Sequence, residues 1–168
     1  MAEKKYILTK ATAEKKIRRM ALEVIERNEE EAQLVLVGIR DNGLVLAHKI
    51  NDYLKPLFKG VVIVAALELD KRNPVEINIS PEIDCNNKVI LLIDDVANSG
   101  KTMLYALKPF LNASPKKIQT LALVERTHKS FPIDVDYVGM SISTTVDEHI
   151  FVEVSGTDIT GAWVQKMD

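Results

Sequence analysis

The sequence predicts an α/β domain in which helices flank a central, mostly parallel sheet that also carries a small hood. Four short runs are mainly apolar: residues 34–39, 61–67, 89–94, which ends in an Asp, and 118–124, which contains Gln119 and Thr120. Such runs are typical of strands that are covered on both faces, as in a parallel sheet. Helical or loop segments separate the runs, and no repeat or linker divides the chain. We therefore expect one domain over residues 1–168.

The remaining elements follow in chain order. Residues 12–28 repeat apolar side chains at the spacing of one helical stripe, and residues 44–54 form a second helical stretch after a polar turn at 40–43. Residues 69–87 contain no helix where a strand–helix–strand unit would have one, and such insertions are usually functional lids. A further helix is expected to begin near Thr102. Short β-like pieces at 135–138 and 150–154 are expected to form the hood.

Composition excludes several classes of protein. No apolar run approaches the roughly 20 residues of a membrane-spanning helix, and the opening residues MAEKKYILTK lack the apolar core of a secretory signal. The single cysteine, Cys85, cannot form an internal disulfide and has no partner for a zinc site. We therefore expect a cytoplasmic protein without a membrane partner. The net charge of −2 provides no general basic field for nucleic acid.

The chemistry is concentrated in VILLIDDVANSGKT, residues 89–102. An apolar strand delivers Asp94 and Asp95 to its carboxyl end, where ligands bind in open α/β sheets. The small polar residues Asn98, Ser99 and Gly100 then lead into a helix. Such a loop can direct backbone N–H groups at a phosphate. Two carboxylates beside it indicate a ligand that has both a phosphate and either hydroxyl groups or a magnesium ion.

Two other interpretations of this segment are less favourable. The run Gly100, Lys101, Thr102 invites comparison with a nucleotide triphosphatase loop, but Asp95 stands where that loop needs its first glycine. The dinucleotide-binding glycine pattern is absent as well. In the purely structural interpretation, the acids cap a turn and Ser99 caps the next helix. The preceding strand, the cradle-like loop and the upstream insertion together favour a ligand site.

IDDVANSGKT resembles the signature for 5-phosphoribosyl 1-pyrophosphate (PRPP) in type I phosphoribosyltransferases. Further segments are similar to the PyrR family, regulators of pyrimidine operons that are also uracil phosphoribosyltransferases and bind RNA. These segments are ALEVIERN, LVLVGIRDNG, LVERTHKSFPIDVDYVG and IFVEV. The resemblance extends over residues 13–154. It implies a pentosyltransferase that joins the ribose 5-phosphate of PRPP to a nucleobase and releases pyrophosphate.

The resemblance also assigns roles to residues. Asp94 and Asp95 would be the catalytic pair that holds the ribose hydroxyls. The whole PRPP site would comprise Asp94, Asp95, Val96, Ala97, Asn98, Ser99, Gly100, Lys101 and Thr102. The pyrophosphate would face the turn Arg40, Asp41, Asn42 and Gly43. A flexible loop at 69–77 would close with Lys71 or Arg72, and the hood around the base would include Glu125, Arg126, Tyr137, Val138 and Ile150. Mg²⁺ would arrive with PRPP, without a direct protein ligand.

The sequence departs from that family at several points. Ala97 and Asn98 replace a bulkier pair, and Asp41 with Asn42 replaces Thr-Arg, so a cation is lost unless Arg40 points inward. Glu125 occupies the position where hypoxanthine phosphoribosyltransferases have a lysine for the purine carbonyl. Because a carboxylate cannot donate to that carbonyl, we expect a pyrimidine, most simply uracil. Trp163 is expected to pack the end of the chain onto the domain.

RNA binding is the alternative from a different functional class. The first helix has a basic face, and His128 with Lys129 could extend it in a dimer; the cations of that face are Lys15, Lys16, Arg18 and Arg19. Leu22 and Arg18 stand where the resembling regulators have histidine and threonine. RNA is therefore a possible but not favoured partner. The resemblance also implies a homo-oligomer, since the family assembles through its helices.

Overall fold

The computed structural model describes residues 3–70 and 72–167. In chain order its elements are β1 (Lys5–Thr9), α1 (Lys10–Asn28), β2 (Gln33–Ile39), α2 (Arg40–Leu54), β3 (Val61–Leu69), β4 (Ile77–Ser80), β5 (Val89–Ala97), α3 (Lys101–Ala106), α4 (Lys108–Leu111), β6 (Lys117–Arg126), β7 (Tyr137–Ile142), β8 (Glu148–Ser155) and β9 (Asp158–Lys166). All four apolar runs are strands and both long helical stretches are helices, as predicted.

The central sheet has six strands in the order β4-β3-β2-β5-β6-β7. Neighbouring strands are parallel except for β4, which is antiparallel to β3. The α/β fold class is thus confirmed. From β2 the chain turns outward to β3, whereas from β5 it turns the other way to β6. The carboxyl ends of β2 and β5 therefore border the crevice where open α/β sheets bind ligands.

Each face of this sheet has its own apolar core. On one face, Ile17 of α1 and Ile50 of α2 pack with Leu36 and Leu91. On the other face, Met103 and Phe110 of the short helices α3 and α4 pack with strand residues such as Val37 and Leu92. Because successive strand side chains point to opposite faces, central strands with two buried faces are apolar at almost every position. This is the physical basis of the runs seen in the sequence.

A second, antiparallel sheet in the order β1-β9-β8 forms the hood. The piece predicted at 150–154 belongs to it, but the piece predicted at 135–138 does not. Strand β7, which begins at Tyr137, extends the central sheet by pairing in parallel with β6. Arg19 of α1 supports β7 by donating to the carbonyl oxygens of Val138 and Gly139 at 2.8 and 3.0 Å. The hood also takes β1 and β9 from the two ends of the described chain.

Two local predictions need correction. The expected polar turn at 40–43 is the first turn of α2, which starts directly after β2. This junction is tight: a Cβ on Gly43 would lie 2.8 Å from the carbonyl oxygen of Ile93, so only glycine allows α2 to approach β5 this closely. The insertion at 69–87, for which no strand was predicted, contains β4. Within residues 3–70 and 72–167, no helix is both long and apolar enough to cross a membrane.

Candidate functional site

A cavity of about 240 Å³ opens at the carboxyl end of β5. Four parts of the chain line it: the end of β5 with its following loop, the start of α3, the first turn of α2, and hood strand β8. Every residue predicted for the PRPP site contributes to the lining except Lys101, whose ammonium lies 6.0 Å from the centre of the Tyr105 ring. The structure therefore brings the predicted segment together around one concave site.

Asp94 and Asp95 form the buried acidic wall of this cavity. Only 1% of Asp94 and 7% of Asp95 is exposed. The Asp95 N–H donates to Asp94 Oδ1 and the Val96 N–H donates to Asp95 Oδ1, both at 2.9 Å. The third hydrogen bond to this acid pair runs from Asn42 Nδ2 to Asp95 Oδ2 at 2.8 Å. These bonds fix the orientation of carboxylates whose burial would be costly without partners.

The loop after β5 is held in a tight, specific shape. Gly100 has a φ of 82°, and a Cβ there would lie 3.2 Å from the carbonyl oxygen of Phe131. The Ser99 carbonyl oxygen accepts from the N–H groups of Ser130 and Phe131 at 3.1 and 3.0 Å. Asn98 lines the cavity, and its Oδ1 is buried without a hydrogen-bond partner among the described residues. A buried acceptor of this kind is suited to a donor supplied by a ligand or a water molecule.

Hood strand β8 supplies the apolar wall through Ile150, Phe151 and Val152. Sequence reasoning identified Ile150 but missed Phe151, Val152 and Met103, although the segment IFVEV carried part of the resemblance. The sequence alone could not place Phe151 in the site, because its position beside β5 depends on how the hood folds over the sheet. An apolar and aromatic wall opposite a polar one is typical of sites for planar ligands.

Of the predicted turn, only Asn42 lines the cavity. Arg40, at the start of α2, has a φ of 50° and donates to the carbonyl oxygen of Leu69 at 2.9 Å. It borders a different, open cavity whose lining includes Glu68 and Asp70. Asp41 is exposed. Arg40 therefore does not replace, inside the first cavity, the cation that the family has in this turn.

Of the two predicted loop cations, Arg72 does not line the cavity. Arg72 is exposed, and its backbone N–H donates to Asp70 Oδ1 at 2.9 Å. Lys71 lies outside the described residues. A closing role for either residue stays a prediction.

Glu125 and Arg126, at the end of β6, do not line the cavity either. Glu125 accepts from Lys129 Nζ and from Ser141 Oγ, each at 2.7 Å, and Glu125 and Lys129 are largely buried. Arg126 donates to the carbonyl oxygen of Glu148 and so connects the central sheet to the hood. Because both Glu125 carboxylate oxygens bind neighbouring side chains, the structure gives no direct support to base selection by this residue.

Tyr137 and Val138 begin β7, which lies two strands from β5 in the central sheet, and neither residue lines the cavity. Tyr137 is fully buried, and its hydroxyl donates to Gln119 Oε1 at 3.0 Å and accepts from Asn28 Nδ2 at 3.2 Å. Burial raises the pKa of this phenol. The structure thus places Tyr137 in the core under α1, not in the hood.

Comparison with known proteins agrees with this geometry. The model of the phosphoribosyl transferase domain matches residues 5–157. The chain belongs to the phosphoribosyltransferase family.

Several similar proteins carry the name PyrR. The chain is 36% identical over 162 residues to the bifunctional protein PyrR of Lactococcus lactis subsp. cremoris, with 92% of each chain covered. It is 35% identical over 166 residues to the PyrR protein of Ligilactobacillus salivarius, with 92% of this chain and 93% of that protein covered. The resemblance read from the sequence motifs is thereby confirmed.

Solved structures share the phosphoribosyltransferase fold at low sequence identity. A hypoxanthine phosphoribosyltransferase of Trypanosoma cruzi matches with a TM-score of 0.78 at 15% identity, with 97% of each chain covered. A hypoxanthine-guanine phosphoribosyltransferase of Bacillus anthracis matches with a TM-score of 0.74 at 16% identity, covering 100% of this chain and 99% of that one. At these identities the match establishes the fold and not the base.

Proposed function

We propose that this phosphoribosyltransferase transfers the ribose 5-phosphate of PRPP to a nucleobase, with uracil as the favoured base, and releases pyrophosphate. One observation carries the proposal: the acid pair, the loop at 98–102 and the apolar strand β8 line a single cavity. Those three surfaces suit the hydroxyls, the phosphate and the base of one nucleotide-like ligand.

Each surface has a defined task in this proposal. Asp94 and Asp95 accept hydrogen bonds from the ribose 2′ and 3′ hydroxyls. The backbone N–H groups of the loop at 98–102, shaped by the positive φ of Gly100, bind the 5′-phosphate. Ile150, Phe151 and Val152 flank the base. The ribose C1 then lies between the carboxylates and the hood, where the new bond to the base nitrogen forms.

The reaction requires little covalent chemistry from the protein. As the bond from C1 to pyrophosphate breaks, positive charge develops on the sugar and negative charge on the leaving group. The buried carboxylates Asp94 and Asp95 fix the sugar and place negative charge beside the developing cation. The apolar hood wall limits access of water, which would otherwise compete with the base for C1.

The donor set fits a magnesium ion that is shared with the substrate. Among the described residues, no group of three or more His, Cys, Asp or Glu side chains is placed to hold a metal. Asp94 and Asp95 are oxygen donors of the kind that Mg²⁺ prefers, yet several of their oxygens already accept hydrogen bonds. PRPP would therefore bring the ion, which supplies charge neutralisation for the departing pyrophosphate.

The choice of uracil rests on the relatives and on the resemblance. Relatives at 36% identity carry the names bifunctional protein PyrR and pyrimidine operon regulatory protein. Because Glu125 binds Lys129 and Ser141 away from the cavity lining, its carboxylate adds no independent argument against a purine.

A second candidate is a PyrR-like regulator that binds nucleotides or RNA with little turnover. The observation that favours it is the first turn of α2, where Asn42 faces the cavity and Arg40 is bonded to the Leu69 carbonyl. Without a cation there, the pyrophosphate would be held less strongly. Of the basic face of α1, Arg19 is bonded to β7 and to Glu23, so Lys15 and Arg18 are the more accessible phosphate partners.

Pyrophosphate release from PRPP and Mg²⁺ separates the two functions. We expect release with uracil, and less or none with hypoxanthine, guanine and adenine. Release of pyrophosphate with a purine alone would overturn the assignment of uracil but would still show phosphoribosyltransferase activity. The regulator would be established instead by two results together. The chain would release no pyrophosphate with any of the four bases, and it would show salt-sensitive RNA binding that is lost in an Arg18→Ala, Lys15→Ala double variant.

We also propose a single domain that works in the cytoplasm as a homo-oligomer. Size-exclusion chromatography with light scattering gives the mass in solution, and a monomer at micromolar concentration would contradict the assembly.

A further inference from the structure

Asn42 connects two walls of the cavity that are far apart in the sequence. Its Nδ2 donates to Asp95 Oδ2 at 2.8 Å and to the carbonyl oxygen of Val152 at 3.2 Å. These partners lie 53 and 110 residues away along the chain. One side-chain amide therefore joins the acid pair of β5 to hood strand β8.

The backbone around Asn42 holds it in this bridging place. Gly43 packs its Cα against β5, since a Cβ would lie 2.8 Å from the Ile93 carbonyl oxygen and 3.4 Å from the Asp94 Cα. Two residues earlier, Arg40 adopts a φ of 50°, which is uncommon for a residue with a side chain. Backbone strain of this kind persists where the surrounding structure holds it, often at functional sites.

Both hydrogens of the amide are used, and each partner belongs to a different part of the proposed ligand site. Asp95 would hold the sugar, while Val152 and its neighbours in β8 would flank the base. A base that displaced β8 on entering would change the distance from the Val152 carbonyl to Asn42. Because the same amide orients Asp95, such a displacement would also change how well the carboxylate receives a ribose hydroxyl.

We infer that Asn42 is a positioning residue that couples the sugar and base subsites, so that occupation of one subsite strengthens binding at the other. The inference rests on the proposed function. Thermodynamic linkage makes the effect reciprocal, and couplings of this kind change an affinity by about five-fold or more. Asn42 needs no contact with the reacting atoms for this role.

Calorimetric titration of PRPP and Mg²⁺ tests the coupling without turnover. The titration is run with and without an analogue of the accepted base in which carbon replaces the nucleophilic nitrogen. We expect the analogue to lower the PRPP Kd of the wild-type chain about five-fold. Asn42→Asp preserves the side-chain shape but removes both N–H donors, and Asn42→Ala removes the whole amide. In both variants the ratio of the two Kd values should fall to about one.

Two further variants distinguish coupling from a loss of folded structure. Asn42→Gln keeps both donors one methylene farther out and should recover part of the ratio, whereas His48→Ala, at an exposed position of the same helix, should keep all of it. A merely structural Asn42 would alter thermal stability but leave the ratio unchanged.

The outcomes separate this inference from the proposed function. An unchanged ratio in Asn42→Asp, or a ratio of about one in the wild type, overturns the coupling while PRPP binding still stands. A wild-type chain that neither binds PRPP nor releases pyrophosphate overturns both.

Discussion

Phe151 of β8 stacks on Trp163 of β9, with ring centroids 5.5 Å apart and an angle of 18° between the planes. Tyr6 of β1 contacts the same indole at 5.9 Å, so an aromatic row crosses all three strands of the hood. Phe151 lines the cavity and Trp163 does not. Trp163 thus packs within the hood, as expected, and it supports the residue that forms the cavity wall.

Trp163→Ala should weaken binding of the base more than binding of PRPP. Removing the indole leaves Phe151 without its stacking partner, an interaction worth about 0.5–1.5 kcal/mol beyond the buried area. We expect a few-fold rise in the KM for the nucleobase and little change in the KM for PRPP, measured by initial rates of pyrophosphate release. Tyr6→Ala touches the other side of the row and should lower the melting temperature alone. Equal rises in both KM values would contradict this role for Trp163.

Gly100→Ala should weaken both folding and phosphate binding. Gly100 has a φ of 82°, which is unfavourable for alanine, and the new Cβ would lie 3.2 Å from the Phe131 carbonyl oxygen. A left-handed backbone costs a residue with a Cβ about 1–2 kcal/mol, and the loop must shift to relieve the contact. We expect a lower free energy of unfolding in urea and a several-fold higher Kd for PRPP.

Gly156→Ala is the matched control for Gly100→Ala. Gly156 has a φ of 60° and nothing within 4 Å of the Cβ position. The Gly156→Ala variant should lose a similar free energy of unfolding but keep the PRPP affinity of the wild type. If Gly100→Ala bound PRPP as the wild type does, the loop would have no part in phosphate binding.

Asp158 should make the free energy of unfolding depend on pH in the acidic range. Lys49 and Lys10 donate to its carboxylate at 2.7 and 2.9 Å, which lowers the pKa of Asp158 to about 2. Since this folded-state pKa is below the ordinary 3.8, the stabilisation is present at neutral pH and is lost as the pH falls from about 4 to 2. These ion pairs tie the hood to α1 and α2.

Urea unfolding of Asp158→Asn at several pH values measures that contribution. The variant should be less stable than the wild type at neutral pH, and the difference should shrink as the pH approaches 2. Asp52→Asn, an exposed partner of Lys55 on α2, should show no difference at any pH. A constant difference for Asp158→Asn across the whole range would show that its charge is not the cause.

Asp94→Asn and Asp95→Asn together should lower PRPP affinity several-fold or more while the fold melts normally. The amide side chains keep the shape of the carboxylates but weaken their acceptance of hydroxyl hydrogen bonds. Calorimetric titration gives the affinity and circular dichroism the melting curve. An unchanged Kd would refute the ribose role of the pair.

The sequence predicted those parts of the site that are local in the chain. Asp94, Asp95 and the loop that follows them are adjacent to a strand whose apolar run marks its own end, so their place at the edge of the sheet follows from topology alone. The contact between Asn42 and Asp95 could not be foreseen. It depends on how closely α2 approaches β5, which the packing of Gly43 decides.

Non-local pairing explains the remaining differences. Strands β1 and β9 come from opposite ends of the described chain and gain their stability mainly from each other and from β8. The resemblance and the β-like piece at 135–138 placed Tyr137 in the hood. Strand β7, however, pairs with β6 in the central sheet, and the Tyr137 side chain packs in the core beneath α1.

A crystal structure of the chain with PRPP and Mg²⁺ shows directly whether this cavity binds the substrate. We expect the 5′-phosphate within hydrogen-bonding distance of the backbone at 98–102 and the ribose hydroxyls in contact with Asp94 and Asp95. PRPP bound elsewhere, or absent at saturating concentration from a cavity open to solvent, would contradict this expectation.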